Sequence, residues 1–522
     1  MERIYCNGTI LTMDSRQKTA EAVLTRDGKI ALVGSIDDVR SAAGRKTEVF
    51  DLEGKTMLPA FLDGHSHLSM VARNLMQADL SGAKSFQDIV DALKDFREKN
   101  ALFHGEYLVG FGYDEHALLE NRHPNRQVLD QVGGENPIFI SHVSFHMGVA
   151  NTIALKQAGI FKDECTGYLA ETDMTAVYMQ FEKSDLPLEQ MYQKAQELYF
   201  QNGICTIQDG AVGRKQFYQL QRLAEQQLFR ADIAAYLMMP DGAHDVVQDN
   251  PEFLQNYQNH LKIGGYKLVL DGSPQGKTAW LREPYTDGTN GVAWMRDDDV
   301  KAFALQAVND GVQLMAHCNG DAASEQFLNS YQYAVEHSSH KNALHLRPIM
   351  LHSQTVRYDQ LERFSALGML PSFFVDHVYR WGDIHRQNLG QARAQNISPV
   401  GWAEAFHLPY TFHQDTPVLP PNMLRTIRTA VERTTKNGTV LGRQHAISTY
   451  QALQAVTIHA AYQYGEQDKK GSIENKKYAD FVILEENPLH VRPEHLTDIS
   501  ITQTIARDQM MYYRKGYAER HF

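Results

Sequence analysis

Cysteine and tryptophan are scarce in this chain, with four of each among 522 residues. Cys6, Cys165, Cys205 and Cys318 are scattered and form no CxxC pair, which argues against a disulfide scaffold. No apolar run reaches the roughly 18 residues that a bilayer-spanning helix needs. The opening MERIYCNGTILTMD also lacks the apolar stretch of a secretory signal. A membrane partner is therefore not expected, and the cytoplasm is the expected location. Basic tracts are missing too: 51 Lys and Arg stand against 63 Asp and Glu, a formal net charge of -12. Nucleic-acid binding rests on neutralising phosphates, so this acidic chain is not expected to engage in it.

What the chain does have is apolar residues, 43% of the total, enough for a large core and more than one domain. From Arg3 to Phe50 short apolar runs are broken by turn signals such as Asp27-Gly28, the pattern of hairpins. A similar pattern returns in ADFVIL and MMYYRKG near the far end. Between them, strand-like runs alternate with helical patterns, the signature of βα units and a parallel sheet. Eight candidate strands can be counted: MLPAFLDG, GICTIQDG, IAAYLMM, YKLVLDG, VQLMAHC, PIMLHSQ, MLPSFFVDH and PYTFHQD. The count sets aside residues from about 73 to 201, which carry two more strand-like runs and helical stretches such as SFQDIVDALKDFREKN. These read as a domain inserted after strand one.

Several of these runs end in metal-ligand residues: His65 and His67 in HSH, His317 in MAHCNGD, His352 in IMLHSQ and Asp415 in HQDTPV. Such positions fall at the C-terminal tips of buried strands, the face on which parallel barrels carry chemistry. Residues two apart on an extended strand share a face, so His65 and His67 can grip one ion. The plainer alternative for an isolated HxH is a polar cap after a strand. Lys267, in GGYKLVLDGS, ends a further run; its plain reading is a strand-end lysine exposed to solvent or paired with Asp271.

Taken together, LPAFLDGHSH, KLVLDGS, HCNGD, RPIMLHSQ, HQDTPV and GSIENKKYADFVIL resemble the amidohydrolase superfamily, in the branch that includes the N-substituted formamide deformylases (amidohydrolase family 3). The resemblance runs from Asn7 to Pro488. It implies an α/β fold: a TIM-like (β/α)8 barrel with a large insertion after strand one. A small composite β-sandwich would be formed by both chain ends. The expected boundaries are 1–57 and 466–522 for the sandwich and 58–465 for the barrel, with the insert at about 73–201. It further implies that His65 and His67 bind a first divalent metal with Asp415, that His317 and His352 bind a second, and that Lys267 bridges them as a carbamate derived from carbon dioxide. Histidine and oxygen donors suit zinc best. Two positions depart from the pattern: Ala60 stands where a glycine is usual, and Gln414 where a serine is common.

Asp415 is the expected general base, taking a proton from the attacking water and returning it to the leaving amine; its alternative is a ligand and nothing more. His146, in HMGVANTIAL, and His377, in FFVDHVYRWGD, match motifs of the branch and are candidates for orienting a substrate carbonyl, against the alternative of buried histidines satisfied by backbone. Asp209 reads as the cap of the next helix, Cys318 as packing, and Tyr113, Tyr379 and Trp381 as core or rim aromatics. The expected activity is hydrolysis of a non-peptide carbon–nitrogen bond in a small amide, such as an N-acyl or N-formyl compound. A mononuclear deaminase, a lactone or ester hydrolase, and a catalytically silent regulatory protein on the same scaffold are the alternatives. A homodimer is compatible with the sequence.

Overall fold

The apolar runs pair in chain order. The computed structural model describes residues 2–100, 102, 105–142, 147–170, 177, 188–340 and 342–514. It contains one eight-stranded sheet of β1 (Phe61–Leu62), β2 (Ile204–Val212), β3 (Asp232–Met238), β4 (Leu261–Val269), β5 (Leu314–Cys318), β6 (Ile349–His352), β7 (Leu370–Phe373) and β8 (Thr411–Phe412). Every neighbouring pair is parallel. The two edges meet just past the strand ends, where Ser66 bridges Thr416 in parallel. There the His67 N–H donates to the Thr416 carbonyl at 2.8 Å, and the Asp415 N–H to the His65 carbonyl at 3.2 Å. The sheet thus curls round into a TIM-like barrel.

Strands buried on both faces read as continuous apolar runs, and IAAYL in β3 is buried throughout. Leu62, Ala234, Tyr236, Met315, Ile349 and Leu351, from four strands, share one apolar cluster with Ala460, Ala461 and Tyr464. The helices between strands are amphipathic; in Arg214–Glu225, Phe217, Leu220, Leu223 and Ala224 are buried at helical spacing.

Strands from both chain ends share a six-stranded sheet. Phe481–Leu484 lies antiparallel to Thr56–Pro59, which is parallel to Thr9–Leu11. A four-stranded sheet holds Glu2–Cys6, Ala22–Arg26, Lys29–Gly34 and Glu48–Asp51. Tyr5, Ile10, Val23, Met57, Phe481 and Ile505 belong to one cluster, so both sheets and both ends contribute to a single core.

The chain divides into two compact units, one of residues 1–68 and 196–522, the other Ser69–Ala195. The second unit has a five-stranded sheet in the order Tyr168–Ala170, Met147–Ala150, Ile138–His142, Leu108–Tyr113, Ala78–Asp79. Its helix Phe86–Lys99 starts at Ser85, whose hydroxyl accepts from the Asp88 N–H, and buries Phe86, Ile89, Val90 and Leu93 on one face.

Within the first unit, Lys470 is buried between two carboxylates. Its ammonium pairs with Asp232 and lies 2.9 Å from Glu466, while Arg507 reaches Asp232 at 2.9 Å. Lys262 pairs with Glu466 from the other side. Removing one partner from a buried network strands the opposite charge, so Lys470→Met is expected to destabilise the fold by about 3–5 kcal/mol in chemical denaturation. Burial alone would raise the Asp232 carboxyl, yet Lys470 and its other partners hold it well below its ordinary value. A depressed carboxylate stabilises the fold above its unfolded pKa and loses that contribution as pH falls toward the folded one. Stability is therefore expected to decline below about pH 4, and less steeply in Lys470→Met.

Candidate metal centre

β1 ends at Leu62, so His65 and His67 lie beyond the strand rather than on it. Their segment is held by the bridges of Ser66 to Thr416 and His67 to Asp209. Even so the rings stand side by side, 4.8 Å between centroids. Asp415, past the end of β8, completes the group: its Oδ1 lies 3.3 Å from His65 Nε2 and 3.1 Å from His67 Nε2. Their ligand atoms all fall within 4.8 Å of one another.

His65 is prepared to ligate. Its Nδ1 lies 2.5 Å from Gln208 Oε1, and the Gln208 amide nitrogen donates to the Gly64 carbonyl and the Tyr464 hydroxyl, which fixes the amide's orientation. The proton must then sit on Nδ1, leaving the Nε2 lone pair toward Asp415. Burial, helped by Lys267, lowers the His65 pKa to about 3, so the ring is neutral. A side chain at Gly210 would collide with this ring.

His317 stands at the end of β5. Its Nδ1 donates to Asp271 Oδ1 at 3.1 Å, again leaving Nε2 available, near the Asn319 amide at 3.3 Å. Asp271 is held by the backbone N–H groups of Trp280, Asn319 and Gly320.

His352 shows how the backbone overrides strand alternation. Ile349 and Leu351 face the common apolar cluster, so regular alternation would turn His352 away from it. Instead His352 has φ +65° and Ser353 φ +49°, a region that non-glycine residues seldom adopt. The ring comes to 4.5 Å from that of His317 and 5.7 Å from that of His65. Asp415 is likewise left-handed, at φ +53°. Two candidate ligands thus carry a strained backbone, which packing must sustain.

Lys267, on β4, is 2% exposed. It is not a solvated strand-end lysine, and Asp271 is not its counter-ion, because the Asp271 oxygens are spent on His317 and backbone donors. Burial lowers its pKa to about 7, opposed by the charge of Asp415 and by Cys318. Cys318 is itself fully buried.

These residues fit a cation. Asp415 Oδ1 and His352 Nε2 are buried without a hydrogen-bond partner, a costly state unless another group satisfies them. Nitrogen and oxygen donors, with the imidazoles neutral, are what a divalent ion of the zinc type takes.

His377 opens the helix His377–Leu389, buried, with Nδ1 3.2 Å from His385 Nε2 and its ring 4.6 Å from both Phe374 and Trp381. His146 lies outside the described residues. Asp209 does not cap the helix after β2; the cap is Gly213, without a side-chain bond. Tyr379 lies against Arg425, and Tyr113 is buried in the second unit with its hydroxyl on His123.

Sequence reading missed Gln208, Asp271 as a partner of His317, and His413. The His413 Nε2 lies 3.0 Å from His352 Nδ1, and its Nδ1 lies 2.9 Å from the Ser372 hydroxyl. Only the strand motifs HQD and IQD hinted at them, since partners across strands leave no spacing in one sequence.

Known proteins resemble this chain over most of its length. Residues 48–512 match the model of the Amidohydrolase family, family 3. The chain is 25% identical over 547 residues to the N-substituted formamide deformylase of Arthrobacter pascens, covering 98% of each. It is 27% identical over 524 residues to the protein LONG AFTER FAR-RED 3 of Arabidopsis thaliana, covering 93% of this chain and 87% of that one. A solved structure of an uncharacterized metal-dependent hydrolase from Pyrococcus furiosus superposes with TM-score 0.80 at 26% identity, covering 94% of this chain and 100% of that one. The chain belongs to the amidohydrolase superfamily, family 3, the metal-dependent hydrolases whose branch includes the N-substituted formamide deformylases.

Proposed function

We propose that the protein hydrolyses a non-peptide carbon–nitrogen bond in a small amide, an N-acyl or N-formyl compound. Two divalent ions, zinc by preference, would be held by His65, His67, Lys267, His317, His352 and Asp415. The observation that carries this reading is the convergence of His65, His67 and Asp415 around a buried, unpartnered carboxylate oxygen.

Bound there, divalent ions would acidify water and polarise the scissile carbonyl. The remaining work falls to the chain. Asp415 Oδ1 accepts a proton as water attacks the carbonyl, then returns it to the nitrogen of the departing amine. Gln208 and Asp271 keep His65 and His317 in the tautomer whose Nε2 can ligate. His377, and His146 on the sequence motif, orient the substrate carbonyl. Lys267 acts after its neutral amine nitrogen has added to the carbon of CO2 and lost one proton, a reaction favoured by the depressed pKa. The two carbamate oxygens would then supply a donor to each ion.

A second reading, a mononuclear deaminase, has one observation in its favour. Among the described His, Cys, Asp and Glu residues of the first unit, His65, His67 and Asp415 are the one group of three whose ligand atoms lie mutually within 4.8 Å. The reading as a whole also takes the chain as a cytoplasmic protein acting on a small molecule, compatible with a homodimer, with the two ends as a composite sandwich and residues from about 73 to 201 as the insert.

The test is metal content per chain together with release of amine from a panel of N-formyl and N-acyl amines, with lactones, esters and amino-heterocycles alongside. Amide cleavage that follows metal loading is expected. Ammonia release from the heterocycles with one metal per chain would favour the deaminase, and no turnover of any class at full loading would reject the hydrolase.

A further inference from the structure

We propose that the second compact unit holds a divalent-metal site of its own, built from Asp114, Glu115 and His142 with His123 at its edge. In that unit Leu108–Tyr113 and Ile138–His142 run parallel, with Tyr113 in register with His142, and Ala78–Asp79 adds in parallel on the other side. Parallel sheets bind ligands beyond the carboxyl ends of their strands. Asp114 and Glu115 are the first two residues past one such end, and His142 is the last residue of the neighbouring strand. Each offers a ligand atom, and the three atoms lie within 4.8 Å of one another.

Glu115 is the centre of the group. His142 Nε2 stands 2.7 Å from its Oε2, and the Nε2 atoms of His116 and His123 stand 3.5 and 3.7 Å from its Oε1. Two donors at about 2.0–2.2 Å from one tetrahedral zinc are about 3.4 Å apart, close to the Glu115–His123 separation, while the shorter Glu115–His142 contact would open around an ion. Glu115 Oε2 is buried and makes no aligned hydrogen bond despite its closeness to His142. Close approach without hydrogen-bond direction is how two ligands of a shared cation face each other.

A plain ion pair accounts for this less well. A pair of Glu115 with His142 alone would leave His123, 3.7 Å from the other carboxylate oxygen, without a role. The His123 Nδ1 lies 3.0 Å from the Tyr113 hydroxyl. With the Nδ1 proton given to that oxygen, the Nε2 lone pair points toward Glu115, the arrangement of a ligating histidine with its supporting partner. Donors limited to nitrogen and oxygen select a first-row divalent ion, zinc before the others. None of these observations depends on the activity proposed for the barrel.

The experiment uses the full chain, stripped with chelator, reloaded with zinc and freed of excess, with zinc per chain measured by mass spectrometry. Glu115→Gln and His142→Asn are each expected to hold one zinc fewer than their parent. The same loss is expected when the parent already carries Asp415→Asn, so failure of the barrel reading does not obscure the result. Unchanged zinc in both variants would overturn the proposal. If either variant misfolds, Asp114→Asn at the half-buried position replaces it: zinc affinity at this site, read by competition with a chromophoric chelator, should fall at least tenfold, and an unchanged affinity counts against the site.

Discussion

Asp415→Asn is expected to abolish measurable turnover while leaving the protein folded. Asparagine keeps the shape, tolerates the φ of +53° better than most residues, and leaves the backbone bond to the His65 carbonyl intact. It removes the negative charge that faces His65 and His67 and a proton acceptor at Oδ1. Loss of a positioned general base alone costs roughly 10²–10⁴-fold in rate, and loss of a ligand adds weakened metal binding. The two roles separate in a metal titration. If saturating zinc restores occupancy but not kcat, Asp415 acts as base as well as ligand; if both recover, it is a ligand only. Wild-type kcat/KM without added metal would remove Asp415 from the mechanism.

Lys267→Met is expected to lower the barrel's metal content from two ions to one and kcat/KM by roughly 10³-fold, through loss of water activation and carbonyl polarisation by the second ion. Methionine fills a similar volume and needs no solvation, so folding should survive. The metal-free protein carries a separate signature. With the Lys267 pKa lowered from 10.5 to about 7, the folded state binds fewer protons than the unfolded chain between those values, so stability rises with pH across that window. The slope approaches about 1.4 kcal/mol per pH unit for one proton, and Lys267→Met should lack it. Two ions and unchanged turnover in the variant would refute the bridging role. A lost slope with unchanged metal content would mark Lys267 as buried and neutral but not a ligand.

The eight strands were legible because a sheet buried on both faces demands unbroken apolar runs, and the runs ending at Asp209, Lys267 and His317 declare themselves in any sequence. The residue types suited to a metal were legible for the same reason, since histidines and an aspartate after such runs fall on one face of a parallel sheet. What alternation could not deliver was the aim of each side chain. His65 and His67 lie past their strand, His352 turns inward only through a left-handed backbone, and Asp209 gives up the helix cap to Gly213. Gln208, Asp271 and His413 became partners of His65, His317 and His352 through contacts across strands. The sequence by itself therefore determined the family, through the resemblance of its ordered motifs, and the order of strands and the donor chemistry, because these follow from local apolar pattern and residue type. Only the tertiary structure decided which donors meet, which tautomer each imidazole holds and whether Lys267 is solvated, because burial and hydrogen bonding between residues hundreds of positions apart are properties of packing alone.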